Sequence, residues 1–413
     1  MPPPPSSTLA PAGVARAAGC GGSQPPLTFT ESGASLSGAA AAGSKIKHIV
    51  YIVQERRSFD NLFQGYPGAN TLPKGMNSNG HTITLQPVSL KKTYKIDDSA
   101  GAMFAACNGT ERLPGTDCKM NGFNKEESFG GPANPQYVYV PHDQSKPYFE
   151  MAHEWVVGDE MFASQLDQSF AASQYIIAAQ AGRSVDIPDG DCGCDGAPGD
   201  TIQTLTDKRT FGRSESPCFD YQTLGEELEN AGLSWRYYTS TTGIDGYASI
   251  KGTYWQAHIV KPPQQFLKDV ADGKLANFTW ITPTCLDSDN GDCGGGYGPS
   301  WVAALVNTVG KSKFWDSTAN VPPPYKNFDG LGFRVPLLVI SPYAKHHFIS
   351  HVEYETASVL RFAEDAYGLG QLAAADKRAT SPAADCFDFS QKPRLFVPIK
   401  APKGTNFFLH QRS

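Results

Sequence analysis

The first strongly patterned segment of the chain is Ile46–Val53, IKHIVYIV, a nearly continuous run of apolar and β-branched positions. Such a run predicts a strand buried on both faces, the habit of a parallel sheet. Pro336–Ser341, PLLVIS, reads the same way, and the two are expected as interior strands of one sheet. Ser234–Tyr238 and Phe278–Thr282 predict shorter strands. Apolar spacing suited to helices covers Lys146–Trp155, Ser169–Ala181, Tyr221–Ala231, Trp301–Val309 and Ser358–Tyr367. Asp167 and Ser169 are both candidates to cap the second of these. Alternating strands and helices predict an α/β domain with a largely parallel sheet between helices.

The first 44 residues lie outside this pattern. Residues 1–44 carry only Arg16 and Glu31 as charges and are otherwise mostly Ala, Gly, Pro, Ser and Thr. A segment so poor in apolar surface cannot offset its ordering entropy, so a disordered leader is expected. Within it, Ala17-Ala18-Gly19-Cys20 resembles the end of a bacterial lipoprotein signal, which would make Cys20 a lipid anchor. A tail with a stray cysteine is the other reading. Residues 45–413 are read as one domain, with loop-rich insertions at about 66–142 and 186–275.

Charge and cysteine content narrow the class. Lys and Arg number 35 against 41 Asp and Glu, a formal net charge of −6. No basic footprint for nucleic acid is present, and no apolar stretch is long enough to span a membrane as a helix. Nine cysteines are many for a reducing compartment. Cys107 with Cys118, and Cys285 with Cys293, can each close a short polar loop, and most of the cysteines after Cys20 are expected to be paired in an exported protein.

Candidate chemistry gathers at strand ends and helix starts, where α/β folds bind ligands. Glu55 follows the first strand in the polar turn Gln54-Glu55-Arg56-Arg57-Ser58. Ser169 opens a helix. His346, His347 and His351 follow the strand at 336–341. A hydroxyl at a helix start suits attack on phosphorus, because free backbone N–H groups and the positive helix end favour the anion that forms. A divalent metal held by carboxylates would lower the hydroxyl pKa. Each residue also has a plainer role: Ser169 as an N-cap, Glu55 as a partner of Arg56 or Arg57, His351 as a loop bridge.

Resemblance sharpens this picture. IKHIVYIVQERRSFDNLFQGYPGA is similar to the opening signature of the bacterial phosphoesterase family that contains phospholipases C and acid phosphatases. GDEMFASQLDQSFAASQYIIA resembles its nucleophile region. GLGFRVPLLVISPYAK, SHVEYETASVLRFAEDAYGLGQL and CFDFSQKP resemble its carboxyl-terminal signatures. The resemblance runs in order from residue 46 to about 400. It implies an alkaline-phosphatase-like α/β fold, a central mostly parallel sheet sandwiched by helices, and hydrolysis of phosphate esters or phospholipids with a divalent metal ion. Ser169 falls on the family's nucleophile, Glu55 on a metal ligand and His351 on a late catalytic histidine. Arg56, Ser173 and Asn290 fall on positions around the phosphate.

The chain also departs from the family. Arg56 replaces an Asn of the metal pair. Ser173 replaces a basic residue. Ser288-Asp289-Asn290 lacks a final His. FWDSTA runs into NVPPPYKNFDGLGF, where the family has a strand ending in paired acidic metal ligands. Arg56 is therefore expected either to fill the metal position beside Glu55 or to turn away. Two functions stay open: a metal-assisted phosphoric ester hydrolase, and an exported relative that binds phosphate esters or a partner without turnover.

Overall fold

The computed structural model describes residues 45–109, 113–190, 193–240, 246–314 and 331–411. Cys20, Cys192 and most of the departing segment, 315–330, lie outside the described residues.

Seven strands organise the domain: β1 (Ile49–Ile52), β2 (Val156–Gly158), β3 (Trp235–Tyr238), β4 (Ile259–Val260), β5 (Phe278–Ile281), β6 (Leu337–Val339) and β7 (Phe348–Ser350). The first sheet has the order β1-β5-β3-β4 and is parallel throughout, with Ile49 opposite Phe278 and Trp235 also opposite Phe278. Both faces are covered, as the apolar runs require. Ile49 and Tyr51 pack into one core with Ile176, Leu224 and Leu228, while Val50 packs into a second with Phe266, Trp301 and Leu305. The span 186–275 therefore supplies two strands of the sheet as well as loops.

The expected partnership of the two apolar strands is not found. β6 belongs to a second sheet, β6-β2-β7, antiparallel to β2, while β7 runs parallel to β2. Among the described residues no strand joins β1 to β6. Apolar composition reports burial, and burial does not specify which distant strand completes a ladder.

The helices relevant here are α1 (Phe59–Phe63), α2 (Ala100–Cys107), α3 (His142–Glu154), α4 (Ser169–Ala178), α5 (Leu224–Asn230), α6 (Gln265–Ala271), α7 (Gly298–Gly310) and α8 (Ser358–Tyr367). The last matches its expected span. α4 stops three residues early, because Ala179 takes a left-handed conformation at φ 53° and closes the helix. Neither Asp167 nor Ser169 caps it: the N-cap is Gln168, without a side-chain bond, and Ser169 is the first helical residue.

Three disulfides stand in the described residues. Cys107–Cys118 and Cys285–Cys293 are the expected pairs, with Cα separations of 4.7 and 5.4 Å. Cys194–Cys218 joins loops 24 residues apart. Cys386 is unpaired and buried.

Candidate active site

The site begins with the turn after β1. Val53 N–H donates to Ile281 O and continues the ladder by one bond. The turn is then stitched to the loop after β5. Gln54 Oε1 accepts from Asp289 N at 3.2 Å, and Arg57 Nε donates to Asp289 O at 2.7 Å. The Cys285–Cys293 bridge closes that loop, so Ser288-Asp289-Asn290 is held against Glu55 from both sides. Asn290 Nδ2 donates to Glu55 Oε2 at 3.3 Å. Burial raises the Glu55 pKa, against the opposing pull of Arg56 and the Asn290 bond.

Arg56 turns away from Glu55. Its Nη1 lies 3.3 Å from Asp98 Oδ2 and 3.3 Å from Asp292 Oδ2. Its backbone is left-handed, φ 60°, a conformation that Asn tolerates far better than Arg. The family's Asn at this position suits that backbone; the Arg reaches the same turn at a conformational cost.

Ser169 arrives from the opposite wall. Trp280 Nε1 donates to Ile176 O at 2.8 Å, and Gln174 Nε2 donates to Gly246 O at 3.0 Å, so α4 is docked on the sheet by its own middle. Asp167 accepts the N–H groups of Gln168 and Asp186. Burial holds its carboxyl well above the usual range despite those bonds. The Ser169 hydroxyl has no hydrogen-bond partner among the described residues.

These walls enclose a cavity of about 590 Å³. Glu55, Arg56, Ser169, Ser173 and Asn290 all line it, so five of the six expected site residues share one space. Apolar side chains line it as well, among them Val302, Leu305 and Val306 of α7 and Leu338 and Ile340 at β6.

His351 is placed elsewhere and does not line this cavity. Its Nδ1 lies 3.0 Å from both carboxylate oxygens of Asp159, which is fully buried and also accepts from Asn70 N. Arg334 connects the two places, donating to Asp159 O at 2.8 Å and pairing with Asp60 while itself lining the cavity.

Residues 46–370 match the Phosphoesterase family. The chain belongs to that family. Among curated proteins it is similar to "Phospholipase C A" of Mycobacterium tuberculosis, 23% identical over 396 residues, spanning 78% of this chain and 73% of that protein. It is also similar to "Non-specific phospholipase C3" of Arabidopsis thaliana, 24% identical over 371 residues, at 76% and 66% coverage. "Hemolytic phospholipase C" of Pseudomonas aeruginosa is 21% identical over 406 residues, at 78% and 53%.

A divalent metal ion, implied by this membership, meets a poor donor set in the phosphoesterase chain. A hard dication needs several oxygen ligands with carboxylate charge. Here Glu55 is the one carboxylate held against Asn290, its proton affinity is raised by burial, and the neighbouring position is a cation. Among the described residues, no group of three or more His, Cys, Asp and Glu is arranged to hold a metal. This donor set, among the described residues, does not fit the ion.

Several cavity residues escaped the sequence pattern. Asp97, Asp98, Glu126 and Asp292 all line the cavity. The first three come from the 66–142 insertion, whose short irregular elements carry no periodicity to mark them. Asp289 is buried beneath the site, where Tyr148 donates to its Oδ2 at 2.6 Å. Burial pushes its carboxyl up to about 6, with the Tyr148 bond and Arg57 opposing. No helix of the described residues is long and apolar enough to cross a membrane.

Proposed function

We propose that this chain hydrolyses a phosphoric ester of amphiphilic character, a phospholipid in preference to a small soluble ester, with Ser169 as nucleophile. One observation carries the reading: the first residue of α4, whose hydroxyl has no hydrogen-bond partner among the described residues, lines a cavity that Glu55, Arg56 and Asn290 share with apolar side chains of α7 and β6. The phosphoryl group lies beside Arg56, Asn290 and Ser173, which are donors, and the open N–H groups of α4 favour an anion. The apolar side chains that α7 and β6 add to the lining take acyl chains. Ser169 Oγ attacks phosphorus, the alcohol leaves, and water releases the phosphoryl group from the serine. His351, paired with Asp159, acts at the margin through Arg334, in place of the catalytic role the resemblance implies.

Family membership and the phospholipase C relatives support ester hydrolysis as the reaction class. The alkaline-phosphatase-like sheet arrangement and export through an oxidising compartment belong to the same proposal; the disulfides are consistent with the latter. Arg56, at the place of a metal-ligating Asn, favours a second reading, binding without turnover. The deciding experiment measures diacylglycerol release from short-chain phosphatidylcholine and chromophore release from p-nitrophenylphosphocholine, for the wild type and Ser169→Ala. Release that depends on Ser169 is the expected result. No release of either product by the wild type would establish the second reading.

A further inference from the structure

Glu126 stands out among the groups the reaction above leaves unused. It follows the short helical turn Phe123–Lys125 in the insertion, and the residue is 8% exposed while lining the cavity. Its carboxyl has no hydrogen-bond partner among the described residues. A nearly buried carboxyl without a donor is expensive as an anion and inexpensive as a neutral acid.

Its charged surroundings reinforce this. Asp97 and Asp98, on the strand end facing it, both act on Glu126 and disfavour its ionisation. Tyr137, on the segment packed beside it, feels the Glu126 charge in turn. Arg56, in the turn after β1, is already shared between Asp98 and Asp292. Lys95 lines the same cavity. Burial first, then Asp97 and Asp98, push the Glu126 carboxyl up to about 8, so it carries its proton at neutral pH. Glu126 and Ser169 line the same cavity, and Asp98, which acts on Glu126, lies 3.3 Å from Arg56 on its wall.

We propose that Glu126 is the proton donor to the leaving oxygen of the ester in this cavity, an inference that rests on the hydrolase reading above. In the first step the Ser169 Oγ–P bond forms and the Ser169 proton passes to solvent. The P–O bond to the alcohol breaks, its electron pair stays on the leaving oxygen, and that oxygen takes the Glu126 proton. In the second step a water oxygen bonds to phosphorus and gives its proton to the Glu126 carboxylate. The Ser169 Oγ–P bond breaks, and the serine recovers a proton from solvent. Acid and base roles thus alternate on one group, as microscopic reversibility demands.

A matched pair of substrates tests this. Short-chain phosphatidylcholine and p-nitrophenylphosphocholine carry the same phosphoryl group, but only the former has an alkoxide leaving group that needs a proton. Glu126→Gln is expected to lower kcat for phosphatidylcholine about 100-fold, within the usual range for a general acid. Turnover of the nitrophenyl ester is expected to fall less than about 3-fold, since nitrophenolate departs unaided. The alkaline limb of the wild-type kcat profile with phosphatidylcholine is expected to vanish in the variant. The infrared carbonyl absorption of protonated carboxyls at neutral pH is expected to be smaller in Glu126→Gln than in the wild type, by the contribution of one group. Equal loss with both esters, or unchanged phosphatidylcholine turnover, overturns the donor role while leaving the hydrolase reading intact. A wild type that turns over neither ester overturns both.

Discussion

Replacing Glu126 by Gln tests the electrostatics of the cavity by a route independent of turnover. A carboxyl whose folded pKa exceeds its unfolded value binds its proton more tightly in the native state. Its contribution to stability is therefore full below the unfolded pKa, ordinarily 4.5, and is lost as the pH rises towards the folded value of about 8. Each pH unit inside that window costs about 1.4 kcal/mol, so the loss between about pH 5 and about pH 8 is on the order of 3 kcal/mol. Gln carries no titrating proton, and the variant lacks this term. Other carboxyls raised by burial, such as Glu227 and Asp289, remain in both proteins and cancel in the difference. Urea unfolding of the two proteins across this pH range measures that difference directly. The variant should gain on the wild type steadily with pH. Parallel stability curves would mean that Glu126 ionises normally, and the reasoning about its burial would be refuted.

Other perturbations probe the supports of the site. Arg378 donates to both oxygens of the fully buried Glu355 and to Ser164 O, five residues before Ser169. Arg378→Met should cost about 3 kcal/mol in urea unfolding, as expected for breaking a buried pair, and an unchanged midpoint would count against that role. Arg56→Asn should change stability by less than about 1 kcal/mol, since its part-exposed ion pairs are worth little and Asn suits the turn. Arg56→Val should cost more than about 1 kcal/mol, and equal effects of the two substitutions would argue against a left-handed turn at this position. Burial pushes the Cys386 thiol up to about 12. Comparison with Cys386→Ala should therefore show one thiol that reacts with Ellman's reagent only after unfolding without reductant; fast reaction in the native protein would contradict its burial.

The sequence was informative where burial alone decides the element. Ile46–Val53 and Phe278–Thr282 are apolar because both faces of their sheet are covered, and they were legible for that reason. Ser358–Tyr367 was legible because its helical spacing is regular and ends at Gly368, which takes the left-handed C-cap. Pairing was not legible: Pro336–Ser341 is as apolar as the first strand, yet β6 pairs with β2 in another sheet. The gathering of Glu55, Arg56, Ser169, Ser173 and Asn290 followed from the ordered signatures. The displacement of Arg56 towards Asp98 did not, because Asp98 belongs to an insertion without periodicity. His351 kept its place in the sequence motif, but its ring meets Asp159 outside the cavity. Glu126 left no local signal, since its proton affinity comes first from burial in the folded cavity and then from Asp97 and Asp98, about thirty positions away.

The central claim is that Ser169 forms a bond to phosphorus in this cavity. Acid quenching during turnover of p-nitrophenylphosphocholine, followed by digestion and mass spectrometry, tests it directly. The account predicts a phosphocholine adduct on the peptide that begins α4, localised to Ser169 and absent from Ser169→Ala, whose turnover should fall at least about 1,000-fold. Ser169→Ala turning over at the wild-type rate, with no adduct on that peptide in either protein, would contradict it.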